Sequence, residues 1–573
     1  MFDKRAGAVV ADLLAQWEID HIYGLPGDSI NELVEDLRKH QEKIRFIQVR
    51  HEEVAALSAA AYAKLTGKIG VCLSIAGPGA IHLLNGLYDA KADGAPVLVF
   101  AGQVQSTQVG TDAFQEVNLE RMFDDVAVFN KQVQSHEQLP DLVNQAIRTA
   151  YAENGVAVLT VPDDLFAEKG KWDQPLTSDV YSRTEPATDP RELKVALQLI
   201  QEAKKPVILA GKGALHAKRE LKLFAEKIGA PVIATLPAKG VIPDEDPYNL
   251  GHVGQIGTKP AYEAMKDTDL LFMIGTSFPY REFLPEKAKA IQVDRLTSRI
   301  GKRYPVTAGI NGDTKDILDQ LLDIVPVNDD RSFLERCQKG MEKWRKDLEI
   351  DMEKESDIIM PPHVMAEIQN VLDDDAILSI DVGNVTVWSS RYLKFTNQKM
   401  VISSWMATMG CGLPGAIAAK VAYPDKQVIA ICGDGGFSMV MHDFVTAVRN
   451  GLQMVVVILN NEQLGLIKYE QAEMGHLNYG TENAPVDFAK FADACGGTGY
   501  KVKTREEFHT ALGKAAEEKK PVILDVMVRE EPPLPGKITY QQAVKYSEYL
   551  IKKAFEEKSI ELPPIQKSLK RIF

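Results

Sequence analysis

The sequence predicts an α/β protein of three domains with mainly parallel sheets. Three observations predict it. Apolar runs of strand length, rich in Val, Ile and Leu, alternate with segments whose apolar residues recur at helical spacing. Many of the runs end in glycine-bearing turns that open into helices, as in "HIYGLPGDSI", "IAGPGAIHLLNGLYDA" and "QVIAICGDGG". Finally, 573 residues with 45% hydrophobic content exceed what one ordinary core accommodates.

The first domain spans 1–170. "GAVVADLLAQW" has helical spacing, and "HIYGLPGDSI" reads as strand, tight turn and helix start, with Asp28 or Ser29 as the cap of "INELVEDLRKH". "IRFIQVR" is a strand, and "HEEVAALSAAAYAKLTG" is an Ala-rich helix ended by Gly67. "IGVCLSI", "APVLVFAG" and "VAVLTVP" complete the alternation. Residues 171–190, polar and with three prolines, read as a linker. A second α/β set covers 191–325, with strands in "KPVILAGKGA", "APVIATLPAKG", "TDLLFMIGTSFPY" and "KAIQVDR". A charged linker helix at 326–355 leads to the third domain, 356–530, whose clearest strands are "AILSIDVG", "QVIAICGDGG", "MVVVILNN" and "KPVILDVMV". "FSMVMHDFVTAVRN" reads as one helix between two of them. The first and third domains share a size and a rhythm without an exact repeat. A C-terminal helix and tail occupy 531–573, the helix at 540–557.

A formal net charge of −14 argues against general attraction to nucleic acid. Five scattered cysteines form neither a CxxC pair nor a His/Cys cluster, so neither zinc nor a disulfide framework is expected. The first twenty residues do not read as a signal peptide, and no apolar run approaches a membrane span. The expected location is the cytoplasm.

Asp434 stands just beyond one apolar strand, and Asn461 just beyond the next. One helix joins the two strands, so both side chains reach the carboxyl edge of the same sheet, where α/β ligand sites form. "GDGG" alone is an ordinary turn. Paired with "NN", it offers a carboxylate, a carboxamide oxygen and nearby backbone carbonyls, a donor set for Mg²⁺ completed by phosphate oxygens and water.

This segment resembles the diphosphate-binding motif of thiamine-diphosphate enzymes, which runs from GDG to a closing Asn pair. Apart from its extreme tail, the chain resembles the pyruvate oxidase branch of that family. Bacterial pyruvate:quinone oxidoreductases and phosphate-dependent pyruvate oxidases are the nearest in pattern, with acetolactate synthases as relatives. The resemblance implies the thiamine-diphosphate-enzyme fold with a central FAD-binding domain. Asp434, Asn461 and the backbone carbonyl of Gln463 are then expected to hold Mg²⁺. Gly435 and Gly436 are expected to offer amides to the diphosphate, with the "DVGN" turn, Gly383 and Asn384 at its border.

By the same resemblance Glu52, after His51 at a strand–helix junction, is the catalytic carboxyl that exchanges a proton with the cofactor's aminopyrimidine. Read without the family, the acids there are N-terminal helix acids; Glu53 is given that role or one elsewhere. Met409 in "SWMATMGCG" matches the apolar support of the bent cofactor, and Pro26 and Asn85 lie on the pyrimidine side. Pyrimidine and diphosphate sites come from different subunits in the family, implying a homodimer or homotetramer.

In the middle domain the carried-over FAD contacts are Gly211, Lys212, Gly213, Thr235, Lys239, Gly275, Thr276, Asp294 and Asp313. "AGKGALHAKRE" is not a G-x-G-x-x-G fingerprint, so by itself it is weak. "TDAFQEVNLERMF" places Phe114 and Gln115, and "NNEQLGLIKYEQ" places Leu466, Ile467 and Glu470, around the pyruvate. The expected reaction is oxidative decarboxylation of pyruvate to acetate and CO₂, with electrons passed to menaquinone or ubiquinone. The alternatives are transfer to O₂ with phosphate as acetyl acceptor, giving acetyl phosphate and hydrogen peroxide, or acetolactate synthesis. The tail mixes Lys567, Lys570 and Arg571 with Leu569, Ile572 and Phe573. That composition fits packing on the subunit or peripheral contact with the inner face of the cell membrane.

Overall fold

The computed structural model describes residues 3–172 and 187–529, together with Pro532, Lys545, Tyr549 and Lys552. Most of the expected linker at 171–190 and of the expected helix at 540–557 lies outside the described residues.

Three six-stranded parallel sheets organise the chain. A two-stranded antiparallel pair, β1 (Lys4–Arg5) with β8 (Lys169–Gly170), ties the two ends of the first domain together. Between them lie β2 (His21–Gly24), β3 (Arg45–Gln48), β4 (Gly70–Ser74), β5 (Val97–Gln103), β6 (Ala127–Gln132) and β7 (Val156–Pro162), ordered β3-β2-β4-β5-β7-β6. The middle sheet uses β9 (Pro206–Ala210), β10 (Val232–Ala234), β11 (Asn249–His252), β12 (Leu270–Ile274), β13 (Lys289–Asp294) and β14 (Ala308–Asn311), ordered β11-β10-β9-β12-β13-β14. The third uses β15 (Ile377–Ile380), β16 (Lys399–Val401), β17 (Val428–Gly433), β18 (Val455–Asn460), β19 (Thr498–Val502) and β20 (Val522–Met527), ordered β16-β15-β17-β18-β20-β19.

Counted from each sheet's own first strand, the first and third domains share the order 2-1-3-4-6-5. The middle domain has the order 3-2-1-4-5-6 of dinucleotide-binding sheets. The central strands are near-continuous buried apolar runs because helices cover both faces.

The first and third domains share one apolar core. Tyr23, Val54, Ala56 and Val99 pack in the same cluster as Leu413, Ile417, Phe437 and Val456. Small residues make this possible. The helix Glu52–Thr66 is Ala-rich and buried on most sides, and it lies against the helix Gly412–Ala422. There Ser58 Oγ donates to the Pro414 carbonyl at 3.2 Å. A second shared core joins the middle and third domains and takes in Phe333, Trp344 and Leu348 of the helix Ser332–Glu353.

Two local expectations are corrected. "FSMVMHDFVTAVRN" is not one helix: Asp434–Val440 and Phe444–Arg449 are separated by a 3₁₀ turn at Met441–Asp443. The break has a partner, since the Asp443 carboxylate accepts the Arg50 backbone N–H at 2.8 Å and the Thr446 hydroxyl at 2.7 Å. Neither Asp28 nor Ser29 caps the helix Asn31–Lys39. Its N-terminal flank is Ile30, and the Ser29 hydroxyl instead accepts the Ala76 backbone N–H at 2.7 Å.

Candidate active site

Asp434 opens a helix directly after β17, and Asn461 follows β18, the neighbouring strand, with Gly433 in register with Leu459. The Asp434 carboxylate is buried, and its Oδ2 accepts the Asn483 carboxamide at 2.8 Å. Burial pushes this carboxyl above its ordinary range; Asn483 and the Asn461 backbone N–H pull against that shift. Asn461 Oδ1 accepts the Gln463 N–H at 3.1 Å, and Lys468 Nζ donates to Gln463 Oε1 at 2.7 Å. Glu462, between them, has φ +55°, an uncommon backbone for a residue with a Cβ. A bridge between Gln463 and Glu482 folds the segment bearing Asn483 back over the site.

Around these ligands the backbone forms a cradle. A Cβ on Gly436 would lie 2.7 Å from Asp381 Oδ2, and one on Gly435 would lie 2.7 Å from Leu464 Cδ2 and 3.4 Å from Met409 Cε. Met409 is thus placed beside the glycine motif. Among the described residues, Gly383, at φ +129°, leaves its Cβ direction open, and a buried Asn384 carboxamide oxygen has no protein partner. Open space, an orphaned polar atom and a carboxylate–carboxamide pair fit a cation-bound diphosphate.

Sequence reasoning named the "DVGN" turn but missed Asp381 itself. This carboxyl is fully buried; its Oδ1 accepts the Val382 N–H at 2.7 Å and the Gly410 N–H at 2.8 Å. Burial pushes it up to about 6. It backs all three segments at once: 381–384, 409–412 and the glycines after Asp434. Asn483 was also missed, because 22 residues of loop and helix separate it from Asn461.

The first domain builds a different site. Glu52 begins the Ala-rich helix and is 5% exposed. Its Oε1 lies against Gly79, 2.9 Å from where a Cβ would stand, and its Oε2 is 2.9 Å from His82 Nδ1. His51 caps the helix by accepting the Glu53 N–H at 3.3 Å and stacks on His82, with centroids 4.3 Å apart. Donor atoms of His51, Glu52 and His82 lie within 4.8 Å of one another. Glu53 is not a cap: its carboxylate accepts the Asn85 carboxamide at 2.5 Å, while Asn85 Oδ1 accepts the Thr408 hydroxyl at 3.0 Å. Asn85 therefore ties the first domain to the segment holding Met409.

Pro26 lies in the turn after β2. Gln115, at φ +64°, sets its carbonyl 2.8 Å from the Cβ position of Gly77, on the same turn that carries Gly79. Phe114 is 86% exposed, and Ile467 is also exposed.

A cavity of about 820 Å³ opens where the middle and third domains meet. Gly211 follows β9 and Gly275 follows β12, the two strands between which the sheet order reverses. Their backbones cross closely, Gly211 N–H donating to Ile274 O at 2.8 Å and Gly213 N–H to Gly275 O at 3.1 Å. Lys212, Thr235 and Thr276 line the cavity with them. Lys212 reaches water through the cavity yet sits deep in the protein, and desolvation pulls its ammonium down to about 8. The opposite wall holds Val382, Gly383, Thr386, Leu466, Tyr469 and Glu470.

The remaining carried-over residues stand elsewhere. Gly213 packs on Gly275 behind the lining. Lys239 is buried in an ion pair with Asp244 at 2.7 Å, over the Phe395 ring. Asp294 accepts the Leu296 N–H at 2.9 Å at the end of β13. Asp313 caps the helix Thr314–Ile324 and pairs with His216 at 2.9 Å. Arg299, Lys302 and Arg303, which also line the cavity, were not foreseen, although "SRIGKR" is a visible basic run.

Three family descriptions match in chain order. Residues 4–122 match the thiamine pyrophosphate enzyme N-terminal TPP binding domain, 193–321 its central domain, and 381–526 its C-terminal TPP binding domain. The chain belongs to the thiamine pyrophosphate enzyme family. It is 57% identical, over the whole of both chains, to a Bacillus subtilis protein described as the putative thiamine pyrophosphate-containing protein YdaP. It is 36% identical to pyruvate oxidase of Lactiplantibacillus plantarum, across 93% of this chain and 90% of that one. It is 32% identical to a probable acetolactate synthase large subunit of Methanococcus aeolicus, across 91% and 92%. The expected three-domain α/β fold of this family is thus present. Among the described residues no helix is long and apolar enough to cross a membrane.

Proposed function

We propose that this enzyme binds thiamine diphosphate, Mg²⁺ and FAD and oxidatively decarboxylates pyruvate, with O₂ as electron acceptor and phosphate as acetyl acceptor. The observation that carries the reading is the single cavity that joins the β9/β12 crevice to the Gly383 edge of the diphosphate cradle. A flavin held by the first edge lies beside chemistry held by the second. The likeness to a pyruvate oxidase over most of both chains supports O₂ and phosphate ahead of the quinone expected from the tail.

Thiamine diphosphate, when bound, supplies the carbon nucleophile and electron sink for decarboxylation, and FAD supplies a two-electron acceptor. The chain's residues do the rest. Asp434, Asn461 and the Gln463 carbonyl hold the cation, and the Gly435 and Gly436 amides hold the anion's oxygens. Arg299, Lys302 and Arg303 balance the charge of a dinucleotide diphosphate across the cavity. Glu52 holds a proton at a carboxyl shielded from water. Phe114, Gln115, Ile467 and Glu470 enclose a small keto acid once a second copy covers the exposed Phe114 and Ile467, which makes a homodimer the smallest active unit.

The test is anaerobic. Protein loaded with thiamine diphosphate, Mg²⁺ and FAD is mixed with pyruvate and the flavin absorbance followed. Bleaching with CO₂ release, then hydrogen peroxide and phosphate-dependent acetyl phosphate on admitting air, is the expected result. Acetolactate without bleaching overturns the reading in favour of the synthase relatives. Bleaching followed by reoxidation with quinone but not O₂ returns the acceptor to a quinone.

A further inference from the structure

Glu52 presents a problem of proton supply. Its carboxyl is almost sealed: Gly79 lies against one oxygen, and the helix it begins is buried along most of its length. That burial leaves its carboxyl little direct contact with bulk water. Among the described residues its one hydrogen-bond partner is His82 Nδ1, at 2.9 Å from Oε2. The two side chains differ sharply in access, 43% exposed for His82 against 6% for Glu52. Imidazole is the side chain whose ordinary pKa lets it take and give a proton near neutral pH.

Two further imidazoles lie beside His82. His51 stacks on His82 at 27° between planes, and His442 stands edge-on to His51 at 5.7 Å. Carboxylates flank the group on each side. Glu53 Oε2 is 4.0 Å from His51 Nδ1, and Asp443 Oδ2 is 3.3 Å from His442 Nε2, with the Arg50 backbone N–H on the other Asp443 oxygen.

We propose that His82 is the proton relay of Glu52, carrying its proton between the buried carboxyl and solvent; this rests on the acid–base role given to Glu52 above. In the transfer Nε2 of the ring takes a proton from hydronium as the His82 Nδ1–H bond breaks and an O–H bond forms on Glu52 Oε2, so the ring ends neutral. The reverse sequence discharges the carboxyl: the Oε2–H proton returns to Nδ1 as the Nε2 proton passes to water. No oxidant or further reactant enters. His82 is a positioning and relay residue, since it acts through Glu52.

The experiment follows deuterium exchange at the thiazolium C2 of bound thiamine diphosphate by acid quench and NMR, in full-length protein loaded with Mg²⁺. His82→Ala and His82→Gln are compared with wild type, and cofactor affinity is measured by calorimetry. Exchange about tenfold slower or more in both variants is expected, below the full contribution of a direct acid–base group. Cofactor affinity should stay within about threefold, and added imidazole should restore exchange in His82→Ala, as relay chemistry requires. Normal exchange in both variants overturns the relay; so does slow exchange that falls in step with affinity and is not rescued by imidazole. Should His82→Ala fail to load cofactor, His82→Gln decides: it keeps a donor to Glu52 but cannot pass a proton, so wild-type exchange there overturns the relay. Glu52→Gln, run in parallel, separates the two levels. Unchanged exchange in Glu52→Gln removes the parent assignment, whereas slow exchange there with normal exchange in both His82 variants removes the relay alone.

Discussion

The first and third domains are the same sheet put to two uses. Both have the strand order 2-1-3-4-6-5, and both bring their candidate residues to the carboxyl ends of the strands. In the third domain the crevice where the order reverses, between β15 and β17, carries Asp381, Gly383 and Asp434, with Asn461 one strand further. In the first domain the matching crevice, between β2 and β4, carries Pro26 and the Gly77–Gly79 segment, and the buried Glu52 follows the flanking strand β3. One crevice is polar and oxygen-rich; the other is glycine and proline, with the buried Glu52 and its histidines beside it. Topology chooses where a ligand sits, and the few residues after each strand choose what it is.

That contrast breaks most visibly at Glu52. Replacing it by Gln keeps the shape and removes the exchangeable proton, so pyruvate-driven flavin reduction should fall by about a thousandfold. Mg²⁺-dependent thiamine diphosphate binding should stay near wild type. Equal losses in rate and binding, measured by stopped flow and calorimetry, would mean the two domains do not divide the work this way.

The complementary change is Asp434→Asn. Cofactor affinity should drop by about a hundredfold, at the upper end of what even a supporting group contributes to a metal site. Saturating cofactor should then recover much of the rate. Unchanged Mg²⁺ dependence would remove Asp434 from the ligand set.

Asp381 sharpens the comparison through stability. Its folded pKa of about 6 lies above the ordinary 3.8, so the folded protein binds the extra proton between those values. Stability from this group is therefore lost as pH rises through that window, and stays lower above it. Asp381→Asn keeps an acceptor for the Gly410 N–H without the buried charge. It should raise unfolding free energy by about 3 kcal/mol at pH 7 and by well under about 1 kcal/mol at pH 4, as read from urea titrations. A gain independent of pH would show that desolvation is not the cause.

The smallest effect belongs to Ala407, which lines the cavity at φ +50°. Ala407→Gly relieves a left-handed backbone but adds unfolded-state freedom, leaving a gain of about 0.5 kcal/mol. A loss in thermal melts would mean the methyl group packs against something worth more than the strain.

Much of the fold was legible because its causes are local. Buried parallel strands need unbroken apolar runs, and tight strand–helix turns need glycine, so "QVIAICGDGG" and "IAGPGA" declare themselves. Asp434 and Asn461 were legible for the same reason: each directly follows a strand of one βαβ unit. The single helix expected between them was not, because its break depends on Asp443 meeting Arg50 from the first domain. Lys239 and Asp313 show what short patterns leave out. Both sit in turns that resemble ligand loops, but Asp244 and His216, placed by the folded chain, take up their charges.

The sequence by itself therefore determined the three parallel sheets, the placing of Asp434 and Asn461 at two adjacent strand ends and the acid at the start of the Ala-rich helix, all of which follow from patterns a few residues long. Only the tertiary structure decided that Asp381 backs three separate segments, that Asn483 orients Asp434, and that His82 meets Glu52. Apart from the Asp381–Val382 bond, those pairings join residues 29 or more positions apart. They exist only once packing has spent the chain's conformational entropy and a buried polar group must find whatever partner the fold has brought beside it.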